Sequence, residues 1–161
     1  IDEGLVGSEM CIRDRAHVDE GLQLARRHRL PRPIADFIPE HQGTLKMGYF
    51  LHRARELNAD VDENLFRYHG PTPRSRETAI LMMADGCEAA LRSLPPNTSE
   101  TEAIDTVRRI VESRLLDGQL RKSGLGRAEV ELVLQAFVRV WRRMRHRRIP
   151  YPIPARPSPS S

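Results

Sequence analysis

Apolar residues recur every three or four positions along most of the chain, which is the spacing that places side chains on one face of an α-helix. The strongest pattern lies in residues 74–94, where Ser75 can cap the helix and the apolar stripe consists of Ile80, Ala84, Cys87, Leu91 and Leu94. Comparable stripes predict further helices over residues 16–29, 45–58, 99–116 and 127–146. Because no convincing period-two alternation occurs, the pattern predicts an all-α fold of about six helices.

Prolines and glycines mark where these helices break. Pro31 and Pro33 interrupt the chain after the first helix and can open a second helix at its first turn. Within that second helix, Pro39 is predicted to cause a distortion and Gly43 to end it. Residues 59–73 are rich in glycine and proline towards their end and predict an irregular connection.

The two ends of the chain differ from the middle. Residues 7–15 (GSEMCIRDR) resemble a translated adaptor or vector junction, so we expect residues 1–15 to be non-native or disordered. Residues 150–161 contain five prolines and three serines, which predicts an extended or disordered tail. The folded domain is therefore predicted to occupy residues 16–149.

Composition limits the class of protein more than its function. Of 161 residues, 39% are hydrophobic and 30% are charged, which is enough for one core and too apolar for a disordered chain. No stretch approaches the roughly 18 apolar residues of a membrane helix. Two cysteines are too few for a disulfide scaffold or a structural zinc site. The net charge of +4 is compatible with an anionic ligand but does not require one.

Three residues combine metal-ligating chemistry with positions on three different predicted helices. Asp85 follows six apolar residues on a helix that we expect to be largely buried, and His41 and His17 lie on the apolar sides of their helices. Each residue alone has a simpler explanation: an arginine partner or a helix cap for Asp85, a core or turn role for His41, and a surface or capping role for His17. Together, two imidazoles and a carboxylate suit divalent manganese, iron or zinc.

The motifs over residues 16–152 resemble those of HD-domain hydrolases, and in particular the cyclic di-AMP phosphodiesterases whose HD domain is attached to a seven-helix membrane region. In chain order, the resemblance is carried by His17-Val18-X-X-Gly21-Leu22, Phe37-Ile38-Pro39-Glu40-His41-Gln42-Gly43-Thr44, Phe66-Arg67-Tyr68, Ala84-Asp85 and Asp117-Gly118-Gln119-Leu120. It implies an HD-type helical bundle with two divalent metal ions, manganese or iron, that activate a water to open cyclic di-AMP to linear pApA.

Specific roles follow from the resemblance residue by residue. It matches His17, His41 and Asp85 to metal ligands, and it identifies no catalytic residue. Four residues are candidates for contact with the substrate: Gln42, Thr44, Tyr68 and Arg92. The alternatives are a helix cap for Thr44 and structural roles for Tyr68 and Arg92. Gln42 stands where the family commonly has a second histidine, and an amide is the weaker metal ligand.

The chain contains no His-Asp dipeptide. The family has this doublet, and an earlier histidine, upstream of the position of His17. We therefore expect the chain to be an HD domain incomplete at its N-terminus, inactive or weakly active alone. The resemblance further implies that the intact protein is anchored in a bacterial inner membrane with the HD domain in the cytoplasm.

Two other functions are compatible with the sequence. An HD phosphohydrolase acting on another nucleotide would use the same metal site. A non-catalytic nucleic-acid or regulatory binding module would use the arginine-rich end of the last helix, formed by Arg139, Arg142, Arg143, Arg145, Arg147 and Arg148. Because a solvated helix face explains these arginines more simply, we expect a cyclic dinucleotide as the partner and no nucleic acid.

Overall fold

The computed structural model describes residues 9–57 and 60–146, with side chains from 14 to 57 and from 60 to 144. Its helices are α1 (Glu9–Arg27), α2 (Arg32–Ala35), α3 (Phe37–Glu40), α4 (Gly48–Leu57), α5 (Arg76–Arg92), α6 (Glu100–Leu116) and α7 (Arg127–His146), with a 3₁₀ helix at Glu63–Phe66. The described residues contain no strand, and their one β-bridge pairs Lys46 with Arg67. The all-α prediction is confirmed.

Side-chain caps define where the two central helices begin. The Ser75 hydroxyl accepts a hydrogen bond from the Thr78 amide at 3.2 Å, as the sequence predicted for this cap. Ser99 and Glu102 form a reciprocal capping box at the start of α6. At both helices, Ser75 with Thr78 and Ser99 with Glu102 form capping boxes. Each capping box gives hydrogen-bond partners to amide groups that a helix N-terminus otherwise leaves unpaired, and so fixes the first turn of the helix.

The break between α2 and α3 follows from Pro39. A proline has no amide hydrogen, so residue 39 cannot donate to the carbonyl of Ala35, where α2 ends. The neighbouring bonds are intact, since the Glu40 amide donates to Asp36 at 3.2 Å and the His41 amide to Phe37 at 3.1 Å. The chain therefore continues as a second short helix that ends at the residue before His41.

The structure describes only part of the two chain ends. Helix α1 begins at Glu9, so residues 9–15 of the segment expected to be junction or disordered are helical. Residues 1–8 and the proline-rich tail 150–161 lie outside the described residues. Within the described ranges, no helix combines the length and apolar character that crossing a bilayer requires.

The main core lies between α5, α6 and α7. It is built from aliphatic and sulfur-containing side chains, in agreement with the low aromatic content: Ala79, Met82, Met83, Cys87, Val107, Val111, Val130, Leu134 and Val138. A second cluster joins α4 to the 3₁₀ helix through Met47, Phe50, Leu51, Ala54 and Phe66. Helix α1 packs on α3, outside both clusters.

Candidate metal and substrate site

Two histidines that are distant in sequence lie next to each other. The ring centroids of His17 and His41 are 5.6 Å apart. Gly21, one turn after His17, allows α1 to approach this closely, because a Cβ there would lie 2.8 Å from Ile38 Cγ2. Imidazoles that bind one cation through nitrogens about 2.1 Å away have ring centroids roughly 4.5–6 Å apart, so the spacing fits a shared cation.

The His41 ring is held in a defined orientation. Its Nδ1 lies 2.6 Å from the carbonyl oxygen of Ile38. Because a carbonyl oxygen only accepts hydrogen bonds, Nδ1 carries the proton and Nε2 of the neutral ring keeps its lone pair. Metal-binding histidines commonly use this arrangement, in which the second ring nitrogen donates to a backbone carbonyl. This orientation leaves Nε2 of His41 available as a ligand atom.

Tyr68 also lies beside His17. The two ring centroids are 6.2 Å apart and the rings are nearly perpendicular, at 73°. The Tyr68 amide donates to the Leu45 carbonyl oxygen at 3.0 Å, and its hydroxyl donates to Asp14 Oδ2 at 2.6 Å. Asp14 belongs to the junction-like segment, so the position of Tyr68 beside His17, rather than its bond to Asp14, bears on the site.

Asp85 does not join the histidine pair. No three His, Cys, Asp or Glu side chains among the described residues form a group that could hold a metal ion. Asp85 is exposed, so the expectation of a buried aspartate is wrong. Asp85 shares a face of α5 with Thr78 and Met82. Thr78 contacts Glu40 and Met82 contacts Gly43, but Asp85 lies one helical turn beyond Met82. Its role as a ligand stays a prediction.

Arg114 of α6 lies near Asp85. Its Nη2 approaches α5 so closely that a Cβ on Gly86 would lie 2.8 Å away. Burial lowers the pKa of Arg114, and the nearby Cys87, Asp117 and Asp85 partly oppose this. Arg114 is thus a nearby cation for Asp85, but the described residues show no ion pair between the two side chains.

Gln42 and Thr44 lie in the turn that follows His41, and both are half-buried. Arg92 is at the opposite end of α5 from this turn. Its side chain is 73% exposed and pairs with Glu88 at 3.4 Å. Of the substrate candidates, the structure thus places Gln42, Thr44 and Tyr68 near the histidines in space or sequence, and Arg92 apart from them.

A buried carboxylate that the sequence analysis did not single out precedes His41. Glu40 is 1% exposed and accepts three hydrogen bonds, from Arg74 N at 2.8 Å, Arg74 Nε at 2.7 Å and Thr78 Oγ1 at 2.7 Å. Burial alone raises the pKa of Glu40, but the bonds from Thr78 and Arg74 outweigh it, so the pKa is lowered. The carboxylate fixes the end of α3, and with it His41, to the start of α5. In the sequence, the signal for this buried carboxylate was a single acidic residue that directly follows three apolar ones.

A second buried polar residue, Gln119, holds the far end of the same turn. It is 1% exposed and hydrogen-bonds Thr44 through both ends of its side-chain amide. Between these anchors, Gly43 has a φ of +53°, a conformation that favours glycine. The sequence showed Gln119 only as part of a motif, since its partner is 75 residues away.

The helical bundle has the fold of known HD domains. The fold matches two crystal structures of the HD domain of phosphodiesterase PgpH from Listeria monocytogenes, with TM-scores of 0.77 and 0.74 at 29% and 28% identity. One of these structures is a complex with cyclic di-AMP. The match covers 80% of this chain and 60% of each of those chains.

In sequence, the chain is homologous to the PgpH cyclic di-AMP phosphodiesterases. It is 34% identical over 139 residues to PgpH of L. monocytogenes and 33% identical over 138 residues to PgpH of Bacillus subtilis. An uncharacterized protein of Synechocystis sp. is 49% identical over 143 residues. These alignments cover 85–86% of this chain but only 18–19% of the relatives, so the chain spans about a fifth of their length. No protein-family model matches the chain. The resemblance predicted from the motifs is confirmed.

Proposed function

We propose that this chain supplies the His17–His41 part of the metal site in an HD phosphodiesterase that hydrolyses cyclic di-AMP. The observation that carries the proposal is the pair of neighbouring imidazoles, one of them oriented by the Ile38 carbonyl. Homology to PgpH supports the substrate. Because the homology covers a fifth of each relative, the activity of the whole protein is part of the proposal.

The donor set fits divalent cations. His17 and His41 would bind through imidazole nitrogens. Asp85 is proposed as a carboxylate ligand from the resemblance alone, because no group of three such side chains joins it to the histidines among the described residues. We propose two cations, manganese or iron, in the intact domain. When bound, such cations polarise the phosphodiester and lower the pKa of an attacking water.

The remaining residues of the turn are proposed to hold the substrate. The Gln42 amide follows His41 directly and can donate to a phosphate oxygen. Thr44 offers a hydroxyl, and Tyr68 supplies an aromatic wall beside His17. For Arg92 to contact the substrate, its pair with Glu88 would have to open, so this assignment rests on the resemblance alone.

Turnover by this chain alone is proposed to be slow or absent, because its sequence contains no His-Asp dipeptide. In HD enzymes the aspartate of that doublet bridges the metals, so cation affinity should also fall. We further propose, from the resemblance, that the full-length protein is membrane-anchored with its HD domain in the cytoplasm.

Calorimetric titration with Mn²⁺ tests the metal site. His17→Ala and His41→Ala should each weaken binding by about tenfold or more, as the loss of one ligand predicts. His28→Ala is the matched control, because His28 is exposed at the end of α1. Equal Mn²⁺ affinity in all four proteins would exclude the histidine pair as a metal site.

A second experiment tests the substrate. With Mn²⁺ present, binding and turnover of cyclic di-AMP are compared with those of other cyclic dinucleotides and of linear nucleotides. Preference for another nucleotide would favour the alternative HD phosphohydrolase. Rapid turnover of cyclic di-AMP by the chain alone would contradict the argument from the absent doublet.

A further inference from the structure

Gln119 connects the turn after His41 to the loop between α6 and α7. Its Oε1 accepts a hydrogen bond from the Thr44 amide at 3.1 Å. Its Nε2 donates to Thr44 Oγ1 at 2.9 Å and to Asp117 Oδ2 at 2.8 Å. All three bonds belong to a side chain that is almost completely buried. The amide therefore has no water to compensate for a poor arrangement.

The orientation of this amide is dictated by its partners. With oxygen and nitrogen exchanged, the amide NH₂ group would face the Thr44 N–H, and the carbonyl oxygen would face the Asp117 carboxylate. Both contacts would pair groups of the same kind, so only one orientation is stable. Asp117 is itself fixed by Arg67, at 3.1 and 3.2 Å, and Arg67 also donates to the Thr44 carbonyl oxygen at 2.7 Å.

The fixed amide determines what the Thr44 hydroxyl can do. Because Oγ1 accepts from Gln119 Nε2, the hydroxyl hydrogen is left to donate elsewhere. No acceptor for it is present among the described residues. The Thr44 amide and carbonyl are already bonded, so this hydrogen is the remaining donor of Thr44. The residue lies three positions after His41 in a half-buried turn.

We propose that Gln119 is a positioning residue of the phosphodiesterase site. It holds the turn that carries His41 and makes the Thr44 hydroxyl a hydrogen-bond donor for a phosphodiester oxygen of the substrate. The role of the Thr44 hydroxyl rests on the function proposed above. Asp117 and Arg67 complete the network by fixing Gln119 and the Thr44 backbone.

Four variants test the proposal by calorimetric titration with cyclic di-AMP in the presence of Mn²⁺. Thr44→Val keeps the side-chain shape without the hydroxyl and should weaken binding by about tenfold, the effect of losing one hydrogen bond to a charged group. Thr44→Ser keeps the hydroxyl and should restore binding. Gln119→Glu, whose carboxylate cannot donate to Thr44, should weaken binding similarly, and combining it with Thr44→Val should add little.

Gln135→Glu is the matched control, since it introduces the same charge at an exposed position on α7. It should bind like the unmodified chain. Nitrogen-15 NMR gives a readout that does not require ligand: Gln119→Glu should shift the Thr44 amide and the His41 ring nitrogens, whereas Gln135→Glu should not.

The outcomes separate the two proposals. Absence of cyclic di-AMP binding by the unmodified chain would count against the proposed function here, and the NMR comparison would still decide whether Gln119 positions the His41 turn. Unchanged NMR signals in Gln119→Glu would overturn the positioning role. Cyclic di-AMP binding by Thr44→Val at the affinity of the unmodified chain would overturn the role of the hydroxyl.

Discussion

Removing the charge of Glu40 should destabilise the protein although the shape of the side chain is kept. In Glu40→Gln, the amide oxygen can still accept from the Arg74 amide and Thr78, which share Oε2 in the native protein. The NH₂ group then faces Arg74 Nε–H, donor against donor. Loss of this charged hydrogen bond costs about 1.5–3 kcal/mol. We expect the lower half of that range, because the Arg74 side chain is 44% exposed and can turn to water.

Urea denaturation followed by circular dichroism near pH 7 measures this loss. Glu112→Gln is the control, because Glu112 is exposed on α6, and a surface change of this kind stays within about 0.5 kcal/mol. Glu40→Ala, which removes every bond, should cost about 3 kcal/mol or more. A Glu40→Gln variant as stable as the Glu112→Gln control would refute the stabilising role of the charged Glu40–Arg74 hydrogen bond.

The pH dependence of the same pair of proteins gives an independent check. The pKa of Glu40 is lowered in the folded protein, so the unfolded chain binds more protons between the folded and unfolded pKa values. The stabilisation is therefore complete above the ordinary glutamate pKa of about 4.3 and is lost as pH falls through the folded value. The stability difference between native protein and Glu40→Gln should shrink with acidification; a difference that grows would contradict the assignment.

Three further predictions concern separate parts of the fold. Gly43→Ala should lower the free energy of unfolding by about 1–3 kcal/mol, because φ is +53° and the new Cβ would lie 2.5 Å from a methionine methyl carbon. Gly48→Ala is the control, since nothing lies within 4 Å of its new Cβ, and it should be neutral or stabilising. Equal melting temperatures of the two variants would exclude the crowding at Gly43. Ser99→Ala should cost about 1 kcal/mol in urea denaturation through loss of the capping box, whereas an unchanged midpoint would show the cap to be dispensable. In a Cys11→Ser background, Cys87 should react with a thiol reagent only as fast as the protein opens, because the thiol is buried and burial raises the pKa of Cys87 to about 11. Rapid labelling near pH 8 would show instead that the thiol is accessible in the folded protein.

Local chemistry explains why the helices could be predicted. The start of α5 at Ser75 and the break around Pro39 depend on groups within four residues of each other, and such short-range bonds are visible in sequence. The approach of α1 to α3 depends in addition on Gly21, whose meaning becomes clear only when its neighbour Ile38 is known. The pairing of His17 with His41 was therefore inferred from a family resemblance rather than from periodicity.

Long-range hydrogen bonds explain what the sequence missed. Glu40 bonds to residues 34 and 38 positions away, and Gln119 bonds to Thr44 across 75 positions, so neither has a local pattern. The expectation that Asp85 is buried was wrong for a related reason. Thr78 on the same face is buried because Glu40 covers it, but that cover ends before Asp85 is reached. An apolar run predicts a buried helix without saying how far its neighbours extend.

The shallow seating of α1 has a consequence for its dynamics. Ala25 is the one fully buried residue among the described side chains of this helix, and segments held by so few contacts open without global unfolding. A cation bound between His17 and His41 would tie the helix down and raise its opening free energy by RT ln(1 + [cation]/Kd). Amide hydrogen exchange along α1 should then slow with each increment of metal while the interior of α6 stays unaffected, so that one peripheral helix reports the occupancy of the centre.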